Sequence, residues 1–126
     1  MPAFYTIDRE RELVLSSGSG ILTQEDVSNH MERLSTDPDF DPNFSQVLDF
    51  TNVTAVEIRP DDIRRLAERN IFSSHSRRAF VVKDDLHFGL ARMYEIYREL
   101  HGEMGIRVFR NFDDAMNWIL AGEAAP

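Results

Sequence analysis

Ser76-Arg77-Arg78-Ala79-Phe80-Val81-Val82-Lys83-Asp84-Asp85 decides the fold, because its middle is an apolar run with no polar alternation. A strand that faces water on one side alternates, whereas Ala79 to Val82 reads as a strand covered on both faces. Toward the C-terminus, Leu86, Leu90, Met93, Tyr97 and Leu100 recur at steps of four, three, four and three. That spacing predicts a long helix with this stripe turned to the core, ended by Gly102. Ile106-Arg107-Val108-Phe109 is the next strand. Asn111 then caps a closing helix that carries Phe112, Ala115, Met116 and Ile119 and ends at Gly122. Glu123 to Pro126 is expected to be a mobile tail.

Toward the N-terminus, Val47-Leu48-Asp49-Phe50 is a second core strand. Pro60 then opens a helix with Ile63, Leu66 and Ala67 inward. Thr23 is an N-cap with Asp26 reaching back from the third helical position, and Leu22 is placed to staple Val27. Val27, Met31 and Leu34 share one face of that helix, which Asp37-Pro38-Asp39 stops. Phe4-Tyr5-Thr6-Ile7 and Leu13-Val14-Leu15 form an antiparallel hairpin, and Ser16-Ser17-Gly18-Ser19-Gly20 is expected to be a turn. The order is β-β-α-β-α-β-α-β-α. It implies an α/β fold with a mixed, mostly parallel sheet, right-handed crossovers and helices on its faces, as one domain over residues 1–122.

Composition narrows the chemistry. There is no Cys among the 126 residues, which removes disulfide scaffolds, Cys-ligated metal and thiol nucleophiles. The 14 basic and 22 acidic residues give a net charge of −8, which repels nucleic acid and anionic lipid. The longest apolar runs span four residues, too short for a membrane span or a secretory leader, so a cytoplasmic setting is expected.

The opening hairpin, Gly18-Ser19-Gly20 leading into Leu22-Thr23-Gln24-Glu25-Asp26, Val47-Leu48-Asp49, Ser76 to Val82, Phe88-Gly89-Leu90-Ala91-Arg92-Met93-Tyr94, and Val108-Phe109-Arg110 with Ala115 and Trp118 together resemble the small stand-alone SpoIIAA-like proteins of the STAS superfamily. The resemblance covers nearly the whole chain and rests mostly on packing motifs. It implies a STAS-like fold and a non-enzymatic module that binds a protein partner. Anti-sigma antagonists in that superfamily are switched by phosphorylation of a serine after the second core strand. The matching positions here are Glu57 and Ile58, followed by Arg59 and Pro60, and isoleucine accepts no phosphoryl group. The resemblance therefore carries the fold over, and not the phosphoswitch.

Several residue groups invite a site. Each helix starts with an acidic pair, Glu25-Asp26, Asp61-Asp62, Asp84-Asp85 and Asp113-Asp114. One cause explains all of them, complementation of the partial positive charge at a helix N-terminus. A Mg-dependent enzyme built on these pairs is the contrasting reading. His30, His75, His87 and His101 lie on different elements and include no i, i+4 pair, so no metal is expected. Ser73, Ser74 or Ser76 beside His75, with Asp49, lacks the strained elbow that a serine nucleophile needs. Among thirteen Arg, Arg77-Arg78 could fork a carboxylate or phosphate, although surface ion pairs are the simpler use. Phe88 projects away from the long helix's stripe, as a helix-entry packing residue or as an interface anchor. Arg92, Glu95 and Glu99 flank it and could pair across a two-fold axis.

The expected function is a binding or regulatory module without metal or cofactor, self-associating as a homodimer, with His75, Arg77, Arg78, Phe88 and Arg92 as partner- or ligand-binding candidates. A carrier of a small apolar or lipid ligand, held between sheet and helices, is the alternative.

Overall fold

The computed structural model describes residues 3–121, so the expected tail lies outside the described residues. The elements run β1 (Ala3–Asp8), β2 (Leu13–Thr23), α1 (Gln24–Ser35), β3 (Ser45–Glu57), α2 (Pro60–Leu66), β4 (Arg78–Val81), α3 (Asp85–Leu100), β5 (Ile106–Phe109) and α4 (Phe112–Ala121). This is the order expected from the sequence. The sheet has five strands in the order β1-β2-β3-β4-β5; β1 pairs antiparallel with β2 and every other pair is parallel. A parallel neighbour needs a crossover, and α1, α2 and α3 supply the three between β2 and β5.

The two-residue period of the strands sorts the side chains into two layers. Leu13, Val47, Ala79 and Val81 pack on one face against Ala115 and Ile119 of α4. On the other face Leu48, Phe80 and Val82 meet Ala91 of α3, and Val14 meets Leu34 of α1. β4 is buried on both sides, as its unbroken apolar run requires.

Local signals hold at the helix starts. The Asp26 N–H donates to Thr23 Oγ1 at 3.2 Å and the Thr23 N–H donates to Asp26 Oδ2 at 2.9 Å, a reciprocal capping box. Val27 packs beside Leu22 as the staple predicts. In α4 the Asp114 N–H donates to Asn111 Oδ1 at 3.1 Å.

Four expectations need correction. Ser16 to Gly20 is not a turn but the middle of β2, which continues to Thr23 along an equally extended β3. Register shifts between Ser17 and Ser19 and between Gly20 and Ile21 absorb the small residues. A Cβ on Gly18 would stand 3.0 Å from Val53 Cγ2 and 3.2 Å from the Phe50 ring, so any larger residue there must push these side chains aside. The hairpin reverses between its two strands as expected, in the charged Arg9 to Glu12 segment, where Glu12 takes φ 53°. Likewise β3 does not stop at Phe50. It runs to Glu57, so the stretch before Pro60 is strand rather than loop.

The third correction concerns α3. Its buried residues are His87, Ala91, Glu95 and Arg98, whereas Leu86 and Leu100 are 70% and 77% exposed. The two ends of the stripe lie outside, while Leu90 faces the space under the helix and Met93 and Tyr97 are half-buried, because Ala91 packs against the sheet and Arg98 turns inward to an ion pair with Glu103. Phe88 is half-buried against the Leu48, Phe80 and Val82 cluster, with the Arg110 guanidinium 4.6 Å above its ring, so it packs at the helix entry. In α4, Phe112 is 39% exposed rather than inward.

Candidate functional site

The helical layer does not close completely on the sheet. Between the β3–β4 face and α1, α2 and α3 lies a partly open cavity of about 120 Å³, walled by residues such as Met31, Phe50, Ile63, Leu66, Phe80 and Leu90. Its size matches one small apolar group, since a dry cavity of about 150 Å³ holds a benzene molecule.

One end of this apolar chamber is polar, for a reason of register. Gln46 and Arg78 are directly paired across β3 and β4, and both point to the helical side, as do Leu48 and Phe80 two residues on. Gln46 Nε2 donates to Ser16 Oγ at 2.9 Å, and Arg78 Nε donates to Gln46 Oε1 at 3.2 Å. Arg78 Nη1 also reaches Glu103 Oε1 at 3.3 Å, and Arg98 Nε donates to the same oxygen at 2.8 Å. Arg98 Nη1 donates to the Ala67 carbonyl. The Arg78 guanidinium lies 4.9 Å from the centre of the Phe72 ring and 5.5 Å from that of Tyr94. Burial works against its charge, but Tyr94 and the Glu103 carboxylate outweigh that and hold its pKa above the usual arginine value.

His30 of α1 completes the polar end. It is 93% buried, its ring meets Tyr5 edge-on at 5.5 Å, and its Nε2 is buried with no hydrogen-bond partner. Burial first, then the nearby Arg33 and Arg78 charges, push its pKa down to about 4, so the ring is neutral at pH 7. Tyr5 is anchored elsewhere. Its hydroxyl donates to Asp37 Oδ2 at 2.7 Å, and burial together with that carboxylate pushes its pKa up to about 12.

Of the five binding candidates, His75, Arg77, Arg78, Phe88 and Arg92, only Arg78 lines this chamber, together with His30 and His87 of the four histidines. Arg77 lies on the other sheet face, its guanidinium 5.0 Å from the Trp118 ring centre, so successive strand residues cannot form a fork. Nor is Arg78 a surface ion pair, because its side chain is 6% exposed. His75 is exposed before β4, and Arg92 is exposed in an ion pair with Glu95. Ser76 Oγ donates to the Pro42 carbonyl at 2.7 Å and Thr51 Oγ1 donates to Asp49 Oδ1 at 2.7 Å, which commits Ser76 to the loop before β3 and Thr51 to its own strand.

One carboxylate from each of the first three acidic pairs accepts a backbone N–H at its helix start, Asp26 in the capping box already described. Asp62 Oδ2 accepts from the Arg59 N–H at 3.2 Å, and Asp84 Oδ1 accepts from the His87 N–H at 2.8 Å. Among the described residues no group of three or more His, Asp or Glu is placed to hold a metal ion. Reading by residue type missed Gln46, Arg98 and Glu103, and considered His30 only as a metal ligand. A signal existed for Gln46, a polar residue at an inward strand position, whereas Glu103 has no local signature.

No helix among the described residues is long and apolar enough to cross a membrane. No protein-family profile and no curated protein matches the chain. A solved structure similar to it is that of an uncharacterized DUF3478-family protein from Shewanella loihica PV-4, with 18% sequence identity, 93% of each chain covered and a TM-score of 0.60. That protein has a SpoIIAA-like fold, and the five-stranded, mostly parallel sheet with its four helices shows that this chain has it too.

Proposed function

We propose that the protein is a non-enzymatic binding module of STAS type, working in the cytoplasm, whose working part is the chamber between sheet and helices. The observation that carries this reading is the chamber itself: a concave, mainly apolar space with a few convergent polar groups at one end, the usual form of a small-molecule site. It favours the carrier of a small apolar ligand over a module that recognises only a protein surface. Ile58 supports a ligand-driven module over a phosphoswitch, since it lines the chamber and packs with Leu22 and Val53. The test is native mass spectrometry of the purified protein beside a denaturing spectrum. A small-molecule adduct that is lost on denaturation is the expected result. A bare mass, together with no thermal stabilisation by medium-chain alcohols or acids, would remove the carrier reading.

Self-association is a second reading, carried by the outward face of α3. Leu86 and Leu100 are 70% and 77% exposed, Ile96 is 44% exposed, and Met104 just beyond is 74% exposed. A two-fold dimer through this band would cover it, with Arg92 and Glu99 at its border.

A further inference from the structure

The charge around the chamber runs opposite to that of the molecule. The chain carries 22 acidic against 14 basic residues, yet the titratable side chains lining the chamber are His30, Arg69, Arg78, His87 and Tyr94, with no Asp or Glu among the described residues; Arg69 pairs with Glu32 and His87 with Asp84, which leaves Arg78 and His30 for a ligand. The buried network behind the polar end has the same bias. Arg78 and Arg98 share the one carboxylate of Glu103, which leaves the three with a formal surplus of one positive charge. Beside them stands a buried ring nitrogen, His30 Nε2, with nothing to bond. A buried polar atom without a partner is uncommon and destabilising, and a ligand atom placed there would relieve it.

We infer that the chamber takes a medium-chain monocarboxylic acid, its carboxylate at the His30–Arg78 end and its hydrocarbon part among the apolar walls. This rests on the ligand-carrier reading and deepens it. A planar carboxylate matches both the arginine edge and a ring N–H, which neutral imidazole offers in one tautomer. A doubly charged phosphate would lose far more hydration in so apolar a chamber. The chamber holds about one benzene-sized group and is partly open, so an acid of about six to eight carbons would seat its head end inside with the tail toward the opening, whereas a long acyl chain would remain mostly outside.

The experiment is calorimetric titration of the full chain at pH 7.5 with octanoate and, separately, with octan-1-ol, for the wild type and His30→Leu. Leucine removes the unpaired nitrogen without leaving a new orphan, so the variant is expected to fold. Octanoate should bind the wild type about tenfold or more tightly than octanol, and His30→Leu should bring the two to the same level. In wild-type protein, the His30 ring nitrogens should shift in a histidine ¹H–¹⁵N spectrum with octanoate, which keeps the test decisive even if the variant misfolds. Equal affinities for acid and alcohol, or an octanoate preference that survives His30→Leu with an unmoved His30 resonance, would overturn the carboxylate assignment and leave the carrier reading standing. Binding of neither probe would overturn both.

Discussion

His30 is the residue whose environment has the clearest thermodynamic consequence. Its pKa is about 4 in the folded chain, against about 6.5 for a free imidazole, so between those values the unfolded state holds the proton and the folded state does not. Stability that this neutral ring contributes is complete above pH 6.5 and is lost as pH falls toward 4. At pH 4.5 the loss is expected to reach about 2–3 kcal/mol, and His30→Leu should remove it. Urea unfolding of both proteins at pH 7.5 and 4.5 isolates this contribution, since other carboxylates titrate alike in both; an identical loss in the two would assign it elsewhere. The Arg78, Glu103 and Arg98 cluster behaves differently, because removing one partner strands a buried charge. Glu103→Leu is expected to destabilise by about 3–5 kcal/mol, far more than Asp39→Leu at the exposed Arg9 pair. Comparable midpoints for the two variants would show the buried cluster to be energetically idle.

Among the elements, α1 and α3 make opposite use of their sequences. The Thr23–Asp26 box satisfies backbone donors at the start of α1, and Thr23→Ala should lower stability by about 1 kcal/mol, measured as a shifted denaturation midpoint at constant slope. In α3 the buried positions are His87, Ala91, Glu95 and Arg98, so Leu86 and Leu100 are free to act outside the fold. If the outward face mediates self-association, Leu100→Ser should raise the dissociation constant severalfold or more while leaving the melting temperature of the monomer nearly unchanged. Sedimentation across a wide concentration range measures this. A wild-type monomer at high micromolar concentration would rule out the dimer. Phe88→Ser, by contrast, should act on stability, because Phe88 packs against the sheet.

For the whole molecule, the sheet separates two environments. The single Trp118 sits on the α4 face with Phe109 at 5.6 Å and the Arg77 guanidinium at 5.0 Å, across the sheet from the chamber. Octanoate binding should therefore leave tryptophan emission unchanged, while raising the unfolding midpoint followed by that same emission, by an amount that grows with the logarithm of ligand concentration. A large change of emission on titration would place the ligand on the α4 face instead. This two-sided arrangement was legible in the chain: Ala79 to Val82 demands cover on both faces, and Thr23, Pro60, Asp84 and Asn111 mark helix starts by bonds made within three or four residues. Such signals are local, and nearest-neighbour physics suffices to read them. The facing of α3 and the chamber beneath it were not legible, since they depend on Arg78, Arg98 and Glu103 meeting from β4, α3 and the loop after it. Hydrophobic periodicity places every charge outside, and only tertiary contact supplies the partners that let an arginine go in and leave Leu86 and Leu100 out.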